Sequence, residues 1–318
     1  MRERLQTLLE LTKFRIAVLA TLSTAAGYIL RAERVDAGLL PVLAGTALLG
    51  AGSLALNQVQ EHRTDALMER TRNRPIPSGR MSVMEAFWVS LGLLFMGLMM
   101  LWGFAGTLPL VLGVVCVVWY NGIYTYLKRW TPFAVIPGSV IGAIPPVIGW
   151  TAAGGHLTNP AIIALAMFFF VWQVPHFWLL LRKYGKDYEQ ARLSSLTQIF
   201  SEEQLTRLTF VWIVAAAVTC LSLPVFGAVY SNLAAAGLLG CAGVAGVAGK
   251  RSALGGGGRE VFPQDVCQHQ RIRAAGDDHR IGGPAGEDRL RGAAWRGRFQ
   301  EEAGARRAAP GAERVWSS

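Results

Sequence analysis

The chain has 318 residues, 52% hydrophobic and only 16% charged, well below the roughly 25% charged typical of soluble domains, which excludes an ordinary soluble fold and predicts a polytopic membrane protein. A formal net charge of +10 would suit nucleic acid in a soluble chain. Here the basic residues fall between apolar runs, where topology accounts for them, and no basic face with interleaved aromatics is present, so no nucleic-acid partner is expected.

In chain order, the basic start MRERLQTLLELTKFR runs directly into an apolar stretch with no A-x-A-like cleavage site, so the first span is expected to be retained. Apolar runs of spanning length lie near 14–30, 38–57, 83–103, 107–127, 134–152, 159–181, 206–228 and 231–249. They predict an all-α bundle of eight membrane helices. Lys and Arg gather in the N-terminal segment, the 58–82 loop, Lys128-Arg129, the 182–205 loop and Lys250-Arg251. These alternate with basic-poor connections near Ala105, Gly155 and Tyr230; only Arg31 and Arg34 blur the pattern. The basic side is therefore expected to be cytoplasmic, and membrane lipid is the first partner.

Two regions are expected: a membrane domain over 1–250, and a polar Gly/Ala/Arg-rich tail over 251–318. The tail has no run long enough to span, and from Ser252 onward no lysine. Two readings of it stand: a disordered or frame-shifted product of a GC-rich gene, or a native basic segment touching anionic lipid. Cys116, Cys220, Cys241 and Cys267 are far apart, and neither a disulfide framework nor a thiolate zinc site is expected.

The densest polar information is NQVQEHRTDALMERTRNRPIPSGR, residues 57–80. Asn57, Glu61 and Asp65 stand at i, i+4 and i+8, on one helical face. Such residues cost roughly 2.5–3.5 kcal/mol each at mid-bilayer and mark pathways or sites when they occur within a membrane helix. Arg70, Arg72 and Arg74 follow at every second position, before two prolines that stop a helix. Hard oxygen ligands suit Mg2+, which bridges to phosphate oxygens while arginine forks neutralise the rest. A diphosphate site at the membrane surface is the functional reading. The competing one is a membrane–water boundary with positive-inside arginines.

In YTYLKR at the end of the fourth run, Tyr124 and Lys128 are one turn apart. Lys128 and Arg129 are candidates to hold a diphosphate leaving group, and the Tyr124 ring to favour a developing cation; an aromatic-belt residue beside topogenic charges is the alternative. The sixth run ends FVWQVPHFWLLLRKYGKDYEQARL. It carries the one membrane-embedded histidine, His176, beside Gln173 and beside Pro175, which is expected to break the helical ladder. His176 reads as a haem, iron or proton-transfer contact or as a packed core histidine. Asp187 reads as an acid facing the first cluster. The Gly138, Gly142 and Gly149 positions around Pro137, Pro145 and Pro146 read as close helix packing.

These residues resemble the intramembrane prenyltransferases of the UbiA type and, within them, the protohaem IX farnesyltransferase branch. The resemblance runs from Leu11 to Lys250. It is carried by Asn57-x-x-x-Glu61-x-x-x-Asp65, by RTRNRPIPSGR from Arg70 to Arg80, by YTYLKRWTP from Tyr124, by IGAIPPVIGW from Ile141 and by WQVPHFW from Trp172. Departures are Glu61 where Asp is more usual, Arg63 in place of a third acid, Ala191 where a second carboxylate stands, and a polar tail in place of a ninth helix. The resemblance implies Mg2+ held by Asn57, Glu61, Asp65 and Asp187, a diphosphate held by Arg70, Arg72, Arg74, Lys128 and Arg129, and catalytic help from Tyr124. It implies farnesyl diphosphate as donor and protohaem IX as acceptor near His176 and Gln173, with haem O as product at a bacterial inner membrane, and leaves room for a downstream haem-modifying enzyme as partner. A sibling acting on an aromatic acid or chlorin is the alternative within the same chemistry. A transporter or assembly factor is the alternative outside it, against which the polar residues cluster at one side of the bilayer and no inverted repeat is visible.

Overall fold

The computed structural model describes residues 2–190 and 194–229, the side chains of 182–190 excepted. The side chain of Asp187, the eighth apolar run at 231–249 and the 251–318 region lie outside the described residues. Every regular element among those described is helical. They are α1 (Arg2–Leu11), α2 (Phe14–Ala32), α3 (Leu39–Asp65), α4 (Val83–Ala105), α5 (Thr107–Val117), a π-helical segment (Val118–Tyr124), α6 (Thr125–Trp130), a short 3-10 turn (Pro132–Ala134), α7 (Val135–Gly138), α8 (Val140–Ala152), α9 (Pro160–Gln190), a second 3-10 turn (Leu196–Gln198) and α10 (Glu202–Ser222).

Among the described residues, seven spans are long and apolar enough to cross a bilayer, at Phe14–Ala32, Leu39–Asp65, Val83–Ala105, Thr107–Trp130, Pro132–Ala152, Pro160–Leu181 and Glu202–Ser222. They match the first seven predicted runs. The second is longer than predicted because the helix does not stop where hydropathy does: α3 carries its polar stripe as a helix through Asp65. The seventh begins earlier, at Glu202, because Ser201 and Gln204 form a capping box ahead of the apolar run. Ser82 and Glu85 start α4 in the same way. Pro175 does not end α9, which continues through it to Gln190. A proline removes one intrahelical donor, a defect that a helix packed on both neighbours absorbs.

Packing relies on backbone approach at small residues. Gly52 and Gly97 let α3 and α4 meet so closely that a Cβ on Gly97 would press on the Leu49 nitrogen of α3. Likewise α2 lies against α8, with Gly27 on Pro146 and Gly149 on the Thr24 carbonyl. The glycines read as packing positions are just that, although two of the contacts concern site residues: Gly138 receives the Tyr124 ring and Gly142 the Gln173 carboxamide. Leu49, Leu94, Leu101, Ile144 and Ile148 form one apolar cluster through the middle of the bundle.

Candidate active site

One end of the bundle gathers the C-terminal turns of α3, the π segment with α6, the α1–α2 joint and the 66–82 loop. As the spacing predicts, Asn57, Glu61 and Asp65 share a face of α3, and Asn57 and Asp65 are 2% and 1% exposed. Each oxygen-bearing side chain is matched by a cation from a different element. Asn57 Oδ1 accepts from Lys13 Nζ at 3.3 Å, Glu61 Oε1 lies 2.7 Å from Lys128 Nζ, and Asp65 Oδ2 lies 2.6 Å from Arg74 Nη1. Half-buried pairs of this kind keep both charges compensated where an unpaired one would be costly.

Asn57 is the hub of the cluster. Its Nδ2 donates to Glu61 Oε2 at 3.0 Å and to Thr125 Oγ1 at 3.2 Å. The Thr125 hydroxyl donates in turn to the Tyr120 carbonyl, 2.9 Å away. That carbonyl lies five residues back, the spacing of the wide π turn, so the irregular backbone and the polar network are one device. Beside it, Asn121 Nδ2 donates to the Ser53 carbonyl and to Gln60 Oε1, and Gln60 Nε2 donates back to the Asn121 carbonyl. The π segment is thereby clamped to α3 next to the acids. Trp119 Nε1, donating to the Pro137 carbonyl at 2.8 Å, ties it to α7 on the other side.

The arginine triplet lies in a loop of tight turns rather than in an extended strand. Alternation would align the three in an extended strand, but the 66–82 loop is a series of tight turns, with Thr71 Oγ1 donating to the Asp65 carbonyl. Arg74 reaches Asp65; Arg72 is exposed and 3.9 Å from Glu69, and Arg70 is exposed. Lys128 sits 5.2 Å above the Tyr124 ring, which stacks on Tyr120 at 5.9 Å, so the predicted phenol–ammonium pair is formed. Arg129 lies exposed at the rim, donating to the Gln60 carbonyl at 3.4 Å.

Lys13 is the residue that sequence reasoning missed. It stands before the first span, where a lysine reads as a topogenic charge. The structure turns it inward, and burial, with the Arg74 charge next, pulls its ammonium down to about 7. Farther along, Trp172 and His176 stack one turn apart on α9, at 5.0 Å and 13° between planes. Gln173 meets α8 at Gly142.

Among the described residues no three His, Cys, Asp or Glu side chains converge on a metal position. The α3 donor set is two carboxylates and one carboxamide. That set fits Mg2+, an ion usually held by one or two carboxylates and completed by phosphate oxygens and water.

This bundle is the fold of the UbiA-type membrane prenyltransferases. It superposes on a digeranylgeranylglyceryl phosphate synthase with a TM-score of 0.63, 17% identity and coverage of 86% of this chain and 95% of that one. On a UbiA homolog from Archaeoglobus fulgidus bound to GPP and Mg2+, the TM-score is 0.60 at 13% identity, covering 85% and 95%. The chain belongs to the UbiA prenyltransferase family, whose family model matches residues 20–253. Among its relatives, protoheme IX farnesyltransferase of Geobacter sulfurreducens is 42% identical over 220 residues, 69% of this chain and 81% of that protein. The protein of the same name from Nitratidesulfovibrio vulgaris is 38% identical over 216 residues, 68% and 75% of the two chains.

Proposed function

We propose that this integral membrane prenyltransferase moves a farnesyl group from farnesyl diphosphate to a vinyl group of protohaem IX, with Mg2+ as cofactor. The observation that carries the reading is the corner where Asn57, Glu61 and Asp65 of α3 meet Lys13, Arg74 and Lys128. The names of the two relatives and the GPP and Mg2+ held by the archaeal homolog support it. The site faces the cytoplasm, in keeping with the basic connections at that end, and the membrane is the bacterial inner membrane, in keeping with the bacterial relatives. A haem-modifying enzyme downstream is the natural recipient of the product.

When bound, Mg2+ neutralises diphosphate charge as a Lewis acid, and Asn57, Glu61, Asp65 and Asp187 would hold it. Lys13, Arg74 and Lys128 bind the diphosphate and stabilise the charge that grows on it as the C1–O bond breaks and the electron pair leaves with pyrophosphate. Arg129, Arg70 and Arg72, exposed at the rim, draw the anion to the corner. Tyr124, stacked on Tyr120, presents an electron-rich ring to the allylic cation. The vinyl π electrons of protohaem form the new C–C bond, water takes the resulting cation, and its proton goes to solvent, giving the hydroxyethylfarnesyl group of haem O. Gln173 and His176 contact the porphyrin side, and the apolar helices exclude bulk water from the cation.

The test is conversion of protohaem by membranes carrying the chain, with farnesyl diphosphate and Mg2+, read by mass. A farnesylated haem lost on adding EDTA is expected. Product from an aromatic acid or chlorin but none from protohaem would overturn the acceptor.

A further inference from the structure

The α1–α2 joint is built to aim Lys13. Gln58, 0% exposed, donates through Nε2 to the carbonyls of Glu10 and Leu11 at 2.9 and 2.7 Å. Those are carbonyls of the last turn of α1, which have no next turn to accept from. Two residues on, Lys13 adopts φ 46°, ψ 52°, the left-handed region that a lysine enters only at a cost. Its nitrogen donates to the Glu10 carbonyl at 3.2 Å, and its own carbonyl accepts from Ile16 and Ala17, so this residue closes α1 and opens α2. Glycine or asparagine usually occupies such a joint. A lysine there, with its ammonium on Asn57, points from observed strain to function.

Adjacent residues of α3 hold both ends of this lysine: Gln58 grips the backbone that precedes it and Asn57 receives its charge. From outside, Arg80 Nη2 lies 2.6 Å from Glu10 Oε2 and also donates to the Asn73 carbonyl, fastening the same turn to the loop that carries Arg74. Leu11, packed with Ala55, Ile76 and Ala86, anchors the turn on its apolar side. The Oε1 of Gln58 accepts from none of the described residues, so a buried polar atom is tolerated for the donor half of the amide.

We propose that Gln58 is a positioning residue whose carboxamide sets the α1–α2 joint and thereby holds the Lys13 ammonium toward the diphosphate, with the Arg80–Glu10 pair as a weaker outer fastening. This rests on the reading of Lys13 as a diphosphate contact. The double-mutant cycle of Gln58→Met and Lys13→Met in the full chain, read by calorimetric binding of inorganic pyrophosphate with Mg2+, tests it. Gln58→Met weakens binding about tenfold in the otherwise unchanged chain and less than about twofold in the Lys13→Met background. Equal losses in the two backgrounds would mean a merely structural glutamine and would overturn the proposal. No loss on Gln58→Met alone would overturn it too while leaving Lys13 in place, whereas unchanged binding in Lys13→Met would remove the reading beneath it. Should Gln58→Met fail to fold, Glu10→Gln in the same cycle carries the test: a loss of about twofold that vanishes in the Lys13→Met background. An equal loss in both backgrounds, or none in either, counts against the joint.

Discussion

The α3 corner proposed to hold the diphosphate and the exposed Trp172–His176 pair of α9 both bring polar groups to an apolar bundle, but they are built differently. At the corner, side chains from α3, the α1–α2 joint, the 66–82 loop and the π segment with α6 bond to one another, and Asn57 alone contacts three partners. On α9, Trp172 and His176 stack within one helix, while Gln173 meets α8 at Gly142 and Val174 packs in an apolar cluster with Leu205 of α10. A charged ligand of fixed shape rewards a rigid, cross-linked set of donors; a broad, largely apolar acceptor is met by surface and stacking. The difference teaches where substitutions should be catastrophic and where they should only retune.

The comparison breaks most visibly at Asp65. Asp65→Ala removes an acid and strands Arg74, and turnover should fall about 10²–10³-fold with the membrane fold retained; near-normal turnover would dissolve the metal assignment. Lys128→Met should raise the Kd for pyrophosphate about ten- to a hundredfold, because a hydrogen bond to a charged group is lost, without altering protohaem binding. Thr125→Val strips both Asn57 and the Tyr120 carbonyl of a partner at the π turn and should destabilise the fold by about 1–3 kcal/mol, measurable as a lowered Tm in detergent. On the α9 side, His176→Phe should raise the KM for protohaem several-fold and leave pyrophosphate affinity unchanged; a shift in the latter would merge the two regions.

The smallest effect concerns pH. The Arg80 hydrogen bond holds the Glu10 carboxyl below its ordinary value, opposed by some burial and helped by Gln6. A carboxyl whose folded pKa is depressed contributes stability above its unfolded pKa and loses it as pH falls through the folded one. The stability difference between the unchanged chain and Glu10→Gln, read as a shift in Tm, should therefore be present at neutral pH, no more than about 1 kcal/mol for so exposed a pair, and should close in acid.

Much of this was legible in the residues. Seven spans follow from hydropathy, and the α3 stripe and the Tyr124–Lys128 pair follow from helical spacing, because both are short-range regularities. The Arg70–Arg74 alternation supplies the cations but not their partners, since which carboxylate each meets depends on the turns of the loop. Lys13 could not be read at all. Its inward turn requires a left-handed joint held by Gln58 and an acceptor at Asn57, partners more than forty positions away, and no local pattern encodes them. The Gln60–Asn121 clamp was hidden for the same reason, since both residues sit in stretches that hydropathy treats as plain span or loop.

The wide turn at Val118–Tyr124 has a consequence for chain length. A π turn takes in one extra residue within a single turn, so everything beyond it stands about 100° away from where a regular helix of the same number of residues would carry it. Straightening the segment without removing a residue would yield a more regular, better hydrogen-bonded span that still crosses the bilayer, yet carries Lys128 around to another face, whereas removing one residue from the turn would restore regularity with Lys128 in place. At its present length, regularity and alignment with α3 are alternatives in this span, so a single-residue deletion within the wide turn should be better tolerated than a single-residue insertion there.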